Sequence, residues 1–421
     1  MKLTSKGLAA CLLAATMVSP GFANEGPAPK GIPRLDHVWV IMMENHAYNQ
    51  IIGNPSAPFA NDYIRRANYA TNYFAIAHPS LTNYLETVGG SNFGVLNDNS
   101  PDWGNHTCTN NLALGTPALD NSNFGDVCPI YGEGTDAATP VIDTSNETTP
   151  PSVTAVTEID GKMSIPAARN ISGKTIADQL VAAGLTWKSY QESLPPSGAN
   201  GVNNSDGFFS SSSEILAALP NETQTLVNLY AVKHDPFAYF QSVQDGARRG
   251  LSLAQIVGFT SSGGLYSDLA SGRVPNFSFI APNQCNDQHG RGNAGPQCEE
   301  DPNDNGTLNG LNPALIFLGD QTLRTLVTAI HESPAWQDGR NAIVILWDEN
   351  DYSAAPNQNR VLLTVETNYG THGRASSRFY THFSLLRSIE GGFRLPCLNH
   401  ACDATTDVMS DLFSDSDHDR F

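Results

Sequence analysis

The sequence predicts an α/β fold with a mostly parallel central sheet, helices on both faces and long loop insertions. Apolar runs of strand length alternate with segments of helical periodicity, which is typical of a parallel sheet built from βα units. Two of the apolar runs end abruptly in polar ligands: residues 38–43 run into Glu44-Asn45, and residues 342–347 run into Asp348-Glu349. Strands buried on both faces have such unbroken apolar runs, and parallel strands collect functional groups at their carboxyl ends.

The same periodicities place the remaining elements in chain order. Predicted strands are 36–43, 70–74, 185–190, 274–281, 342–347 and 360–365. Predicted helices are 59–68, 79–88, 175–183, 314–331 and 381–390, the second with Pro79 at its start, where the fixed φ of proline is favourable. Segments 94–170 and 195–213 are rich in Asn, Thr, Pro, Gly and Ser, so they are predicted to be long irregular loops. Residues 410–421 are predicted to be an acidic tail.

The amino terminus predicts export. Lys2 and Lys6 precede an apolar run at residues 8–18 and small residues near position 23, the pattern of a signal peptide spanning residues 1–23. One domain, 24–421, would then remain, either secreted or periplasmic. Removal of Cys11 leaves six cysteines, an even number that suggests disulfide bonds in an exported protein. Their connectivity is not deducible from sequence; the simplest proposal is local pairing of Cys108 with Cys128, Cys285 with Cys298, and Cys397 with Cys402.

The charge of the chain limits its partners. The formal net charge is −19, with 42 Asp and Glu against 23 Lys and Arg. This acidic balance argues against nucleic acid as the natural partner, because phosphate backbones are bound by basic patches. Tight docking on an anionic membrane is disfavoured for the same reason, and the apolar leader is too short to anchor the chain. A small phosphorylated substrate remains compatible, since a bound metal can supply local positive charge.

Several polar residues between the strands suggest chemistry only when they are taken together. Ser80 would lie in the first turn of a helix, where backbone N–H groups favour a phosphate or an ionised hydroxyl. On this stretch alone, Ser80 is more simply a helix cap. Asn83 either donates a hydrogen bond to a phosphate oxygen or is a surface amide. Asp287 and His289 suit metal ligation or phosphate contact, or form an ordinary Asx-rich turn.

His382 begins a predicted helix and could point into the same cleft, and His234, before Asp235-Pro236, is similarly placed. A lone histidine at such a position is more often a cap or a packed residue than a ligand.

Together these motifs resemble the bacterial and fungal phosphoesterase family of acid phosphatases and phospholipases C, within the alkaline phosphatase superfamily. The resemblance rests on six blocks in the family's order: Met43-Glu44-Asn45, His78-Pro79-Ser80 with Asn83-Tyr84, Lys233-His234-Asp235-Pro236-Phe237, Pro282-Asn283 with Asp287 and His289, Trp347-Asp348-Glu349-Asn350-Asp351, and residues 380–390. It implies an alkaline-phosphatase-like fold. Two departures stand out: Thr82 where many relatives have Pro, and Asp235 where many have Asn.

The resemblance implies roles for the matched residues. Ser80 corresponds to the nucleophile, and the metal ligands would be Glu44, Asn45, Ser80, Asp348 and Glu349. Asn83, His234 and Asp287 would bind substrate phosphate or a second metal, and His289 or His382 would protonate the leaving group. The all-oxygen ligand set suits Ca²⁺, Mg²⁺ or Mn²⁺, while the histidines also permit Zn²⁺.

The function expected from the sequence is an exported, metal-dependent acid phosphatase that hydrolyses phosphate monoesters through a phosphoserine. The alternative within the family is a phospholipase C-type phosphodiesterase acting on phospholipid head groups. A carboxylester hydrolase is a further alternative, although Ser80 lacks the Gly-x-Ser-x-Gly context of such enzymes. A secreted binding protein with a structural Ca²⁺ is the remaining one.

Overall fold

The computed structural model of the chain describes residues 25–78, 80–93, 171, 173–194, 203–204, 229–246, 248–290, 295–303, 305–350 and 359–414. The strands of the main sheet are β1 His37–Met43, β2 Asn68–Phe74, β3 Trp187–Gln191, β6 Ile256–Gly258, β7 Phe277–Ala281, β8 Asn341–Trp347, β9 Arg360–Thr367, β10 Ala375–Ser376 and β11 Tyr380–Thr381. Strands β4 Asn203–Asn204 and β5 Tyr230–Ala231 form a separate antiparallel pair. The helices are α1 Tyr48–Ile51, α2 Pro58–Tyr63, α3 Ser80–Gly89, α4 Ile176–Ala182, α5 Gln241–Gln244, α6 Leu265–Ser271, α7 Pro313–Glu332 and α8 His382–Phe393.

The main sheet is mostly parallel and has the order β10-β2-β9-β8-β1-β7-β3-β6, with β11 also paired to β2. Its central strands β7, β1 and β8 are parallel, whereas β9 runs antiparallel to both of its neighbours. Every residue of β7 and β8 is buried, so both faces of the sheet are covered. This confirms the predicted mixed α/β fold and explains why these strands have unbroken apolar sequences.

The larger helices form two packed groups. Helix α7 packs against α2 and α6, and α3 packs against α8 and α4. Helix α7 begins where the Asn312 side chain accepts hydrogen bonds from the Ala314 and Leu315 N–H groups, followed by a proline in the first turn. No helix among the residues described above combines the length and apolarity needed to cross a membrane.

Two of the predicted boundaries differ clearly from the structure, and several short elements are absent from the prediction. The helix predicted over 59–68 ends at Tyr63, because residues from Asn68 onward pair with β9 as strand β2. The short strand β6 and helix α6 were missed, since each is too brief for a clear periodicity. The acidic tail does not begin at residue 410: Leu412 and Phe413 are fully buried, and Asp411 accepts hydrogen bonds from Ser376 and Tyr380.

Two of the expected disulfide bonds are formed, Cys285–Cys298 and Cys397–Cys402. The expected Cys108–Cys128 pair, the leader 1–23 and the loop 94–170 lie outside the residues that the structure describes, as does all of the loop 195–213 except 203–204.

Candidate active site

The acids that follow β1 and β8 lie side by side at the carboxyl edge of the sheet. In the register of these parallel strands Met43 is opposite Trp347, so Glu44 and Asp348 are the next residues on each strand. The Asp348 N–H donates to the Met43 carbonyl at 2.9 Å, and the Asn45 N–H donates to Asp348 Oδ1 at 3.1 Å. The structure therefore brings together the two groups of polar residues that follow these strands, Glu44-Asn45 and Asp348-Glu349.

Ser80 is the first residue of α3 and lies between two of these acids. Its Oγ is 3.0 Å from Glu44 Oε2 and 3.2 Å from Glu349 Oε1, and all three residues are buried. A hydroxyl has one proton and can donate to only one carboxylate at a time. Two buried carboxylates at this spacing repel each other unless a proton or a cation offsets their charge. The position of Ser80 therefore suits a cation beside its hydroxyl.

A second group of ligand-type side chains shares Glu44. His234 Nε2 lies 3.1 Å from Glu44 Oε1, and His234 Nδ1 lies 3.2 Å from Asp287 Oδ2. One ligand atom from each of these three buried residues falls within 4.8 Å of the others. Carboxylates and imidazole are common ligands of divalent cations, so the donor set fits a metal ion. His234 and Asp287, expected to bind substrate, are thus placed as candidate metal ligands.

Tyr84, which the sequence motif contains but to which no role was given, contacts this group directly. Its hydroxyl donates to Glu44 Oε1 at 2.6 Å, and its ring stacks on the imidazole of His234 with the planes 9° apart. Burial raises the pKa of Tyr84 well above its usual value, and the neighbouring acids raise it further. The phenol therefore stays a neutral hydrogen-bond donor.

Asp287 and His289 lie on the turn after β7. Burial raises the pKa of the Asp287 carboxyl well above its usual range, as does the charge of Glu44, while His289 and Lys233 act in the opposite direction. The His289 N–H donates to Asp287 Oδ1 at 2.7 Å, and its Nδ1 lies 2.8 Å from the Gly290 carbonyl. A carbonyl can only accept, so Nδ1 carries the proton and the neutral Nε2 accepts from Lys233 Nζ, 3.2 Å away.

Asn83 holds the turn that leads into α3. Its Oδ1 accepts from the N–H groups of Ile76 and Ala77, both at 3.0 Å, and its Nδ2 donates to the Ala77 carbonyl at 2.7 Å and to Glu349 Oε2 at 3.0 Å. The expected phosphate contact of Asn83 remains a prediction, and its observed contacts position Glu349 instead. His78 Nδ1 also contacts Glu349 Oε2, at 2.8 Å.

His382 lies behind Asp348. Its Nε2 is 2.6 Å from the Asp348 carbonyl, and its Nδ1 is 2.7 Å from the hydroxyl of Tyr73. Burial lowers the pKa of His382 to about 4, so the ring is neutral at higher pH, with Nε2 donating to the carbonyl. Both nitrogens are engaged away from Ser80. The expected role of His382 as a proton donor is thus a prediction that this geometry disfavours.

Two further residues complete the surroundings. His46 Nδ1 lies 3.0 Å from the Glu44 carbonyl, and its Nε2 lies 2.8 Å from Asp301 Oδ2. No role was given to His46 from the sequence, and its position directly after Glu44-Asn45 is the signal that points to it. Asp235, the departure beside His234, is buried and bonded by Ser189 at 3.0 Å. Burial raises the pKa of Asp235 to about 7, so it adds little negative charge under acidic conditions.

The fold and the site define a class of α/β protein that gathers a serine, several buried acids and histidines at the carboxyl edge of a parallel sheet. Within that class, the chain belongs to the Phosphoesterase family, whose family model matches residues 55–300. This confirms the family predicted from the sequence motifs. The match includes Ser80, His234 and Asp287 but not Glu44 or Asp348.

Named relatives are phosphatases. The chain is 25% identical to an acid phosphatase of Aspergillus fumigatus over 328 residues, covering 78% of this chain and 48% of that one. It is 23% identical to a probable acid phosphatase of Kluyveromyces lactis over 368 residues, covering 87% and 60%. It is 23% identical to the phosphatidylinositol-3-phosphatase of Mycobacterium tuberculosis over 407 residues, covering 96% and 92%. The chain thus spans about half the length of the A. fumigatus relative and nearly all of the mycobacterial one.

Among solved structures, the chain matches a protein of the alkaline phosphatase superfamily from Vibrio parahaemolyticus. Its TM-score is 0.41 at 14% identity, covering 88% of this chain and 69% of that one.

Proposed function

We propose that this chain is an exported, metal-dependent phosphatase that hydrolyses phosphate monoesters through Ser80. One observation carries the proposal: Ser80 begins a ten-residue helix, and its hydroxyl lies within hydrogen-bond distance of Glu44 and Glu349. A helix N-terminus favours a phosphate group, because its free N–H groups and dipole face the anion. The similarity to acid phosphatases supports the same activity.

The reaction would proceed in two in-line displacements. Ser80 Oγ forms a bond to phosphorus while the bond to the leaving oxygen breaks, and Glu44 or Glu349 accepts the serine proton. Water then attacks the phosphoserine, releasing inorganic phosphate and returning the hydroxyl. Protonation of the leaving oxygen by His289 would use a proton that Lys233 Nζ passes to its Nε2, 3.2 Å away, whereas both nitrogens of His382 face Asp348 and Tyr73.

The cation would be held by Glu44, His234 and Asp287, with Asn45, Ser80, Asp348 and Glu349 as the other candidate ligands. When bound, it would supply positive charge beside the serine oxygen and the phosphate. The mixed carboxylate and imidazole set is compatible with Mn²⁺ or Zn²⁺, and the oxygen ligands with Ca²⁺ or Mg²⁺.

The test is phosphate release from p-nitrophenyl phosphate and bis-p-nitrophenyl phosphate, each with and without EDTA. Metal-dependent turnover of the monoester is expected, and Ser80→Ala should abolish it. Thr87→Val is the matched control, because this α3 hydroxyl bonds within its own helix, to the Asn83 carbonyl at 2.8 Å. Undiminished turnover by Ser80→Ala would disprove the role of Ser80 as the nucleophile. Preference for the diester would instead favour the phospholipase C-type alternative.

The natural substrate is either a small soluble phosphate ester or a phosphorylated lipid head group. The similarity to a phosphatidylinositol-3-phosphatase over nearly the full length of both chains favours testing the second. A short-chain phosphatidylinositol 3-phosphate and glycerol phosphate, compared by kcat/KM, distinguish the two. Export is tested by sequencing the amino terminus of protein recovered outside the cytoplasm, which should begin near residue 24.

A further inference from the structure

Tyr84 contacts two of the three side chains that form the candidate cation-binding group. Its hydroxyl donates to Glu44 Oε1 at 2.6 Å, and its ring lies on the imidazole of His234 with the centroids 5.3 Å apart. The ring also meets Phe279 of β7 edge-on, with the centroids 5.9 Å apart. Tyr84 is fully buried, so its ring is held in place by packing and not by solvent-exposed contacts.

These contacts restrict rotations that the ligand side chains would otherwise make. The terminal torsion of a glutamate and the ring torsion of a histidine are both broad and two-fold in character. The phenol directs Glu44 Oε1 toward Tyr84 and His234, which leaves Oε2 for Ser80 at 3.0 Å. The stacked ring keeps the His234 plane in the orientation that faces Glu44 on one side and Asp287 on the other.

Helix α3 links this arrangement to the reacting hydroxyl. Ser80 and Tyr84 are four residues apart on α3 and therefore lie on the same face of the helix. One rigid element thus sets the position of the serine and the orientation of two ligands. Tyr84→Phe would keep the ring stacking on His234 and lose the hydrogen bond to Glu44.

We infer that Tyr84 is a positioning residue that pre-organises Glu44 and His234 for cation binding, an inference that rests on the metal dependence of the proposed function. Partners that hydrogen-bond to metal ligands fix the ligand geometry, and their loss typically lowers metal affinity about 10- to 100-fold. Tyr84→Phe should therefore weaken cation binding by about 10- to 100-fold while the chain stays folded.

The experiment measures Mn²⁺ affinity by calorimetry on chelator-treated full-length protein, and then kcat at saturating Mn²⁺. Tyr190→Phe is the matched control: it also removes a buried tyrosine-to-carboxylate hydrogen bond, from Tyr190 to Asp268 at 2.7 Å, on the β3 side of the sheet. The control should bind Mn²⁺ as the wild type does. Tyr84→Phe should require more Mn²⁺ for half-maximal activity yet approach the wild-type kcat once saturated.

Two outcomes overturn the inference, and they differ in meaning. Equal Mn²⁺ affinity in Tyr84→Phe and wild type would show that Tyr84 does not position the ligands, while the proposed function stands. Failure of the wild type itself to bind Mn²⁺, Zn²⁺ or Ca²⁺ would remove the metal dependence and the inference with it. Thermal unfolding of the metal-free variants separates loss of binding from loss of folding.

Discussion

Ser80 Oγ and Glu44 Oε2 lie 3.0 Å apart although 36 residues separate them in the chain. Glu44 follows a central buried strand, and Ser80 begins a helix that packs against α8 and α4. Each residue is thus fixed by a different part of the core, which keeps the serine and the acid in a constant relation. This contact is the basis of the first prediction.

Glu44→Gln is expected to lower kcat/KM for p-nitrophenyl phosphate by at least about 100-fold, because the carboxylate is a proposed proton acceptor for Ser80 and a candidate metal ligand. The amide keeps the shape of the side chain but removes its negative charge. Glu332→Gln, at an exposed position near the end of α7, is the control and should behave as the wild type. Retention of most of the activity in Glu44→Gln would contradict the assigned site.

His382→Gln is expected to lower kcat about 10-fold through displacement of Asp348, without moving the alkaline limb of the pH–rate profile. The reason is geometric: the ring nitrogens of His382 face the Asp348 carbonyl and the Tyr73 hydroxyl. Tyr73→Phe should give a smaller loss in the same direction. A shift of the alkaline limb in His382→Gln, measured across pH 4 to 9, would instead support a proton-donor role.

Glu86 should make the protein less stable as the pH rises. It is fully buried on α3, and neither carboxylate oxygen has a hydrogen-bond partner among the described residues. Burial raises the pKa of Glu86 well above its usual value. A pKa raised in the folded state means that the folded chain binds the proton more tightly than the unfolded chain does. The contribution to stability is therefore full below the unfolded pKa, near 4.5, and is lost as the pH rises toward the folded pKa.

The measurement is the melting temperature of wild type and Glu86→Gln at several pH values between 4 and 8. The two proteins should differ little at pH 4, and the variant should become the more stable one as the pH rises. Comparing the two curves removes the contributions of the other buried acids, which both proteins share. Parallel curves over the whole range would contradict the prediction.

Asp320→Ala is expected to lower the free energy of unfolding by about 1–2 kcal/mol, since it removes the acceptor for the start of a helix. The two carboxylate oxygens of Asp320, on α7, accept from the N–H groups of Phe59 and Ala60 in the first turn of α2, at 2.9 and 2.8 Å. Urea unfolding checks this value. Asp338→Ala, at an exposed position, removes the same charge and should leave the midpoint unchanged.

The sequence by itself determined the α/β class, the central strands and the acids that follow them. Strands buried on both faces must be apolar throughout, so residues 38–43 and 342–347 were recognisable without neighbours. The polar residues that end such strands stand out because the apolar run stops at them. The disulfide pairs Cys285–Cys298 and Cys397–Cys402 were simple to propose because each lies within a short segment.

Only the tertiary structure decided which face of the site each side chain occupies. His289 and His382 have similar sequence signals, yet one lies beside Asp287 and Lys233 and the other lies behind Asp348. In the sequence, Tyr84 resembles any apolar residue on a packed helix. The sequence does not show that its hydroxyl contacts Glu44 or that its ring stacks on His234. Local sequence sets the periodicity of a single element, whereas the contacts between side chains depend on how distant elements pack, and that packing places Tyr84 against Glu44.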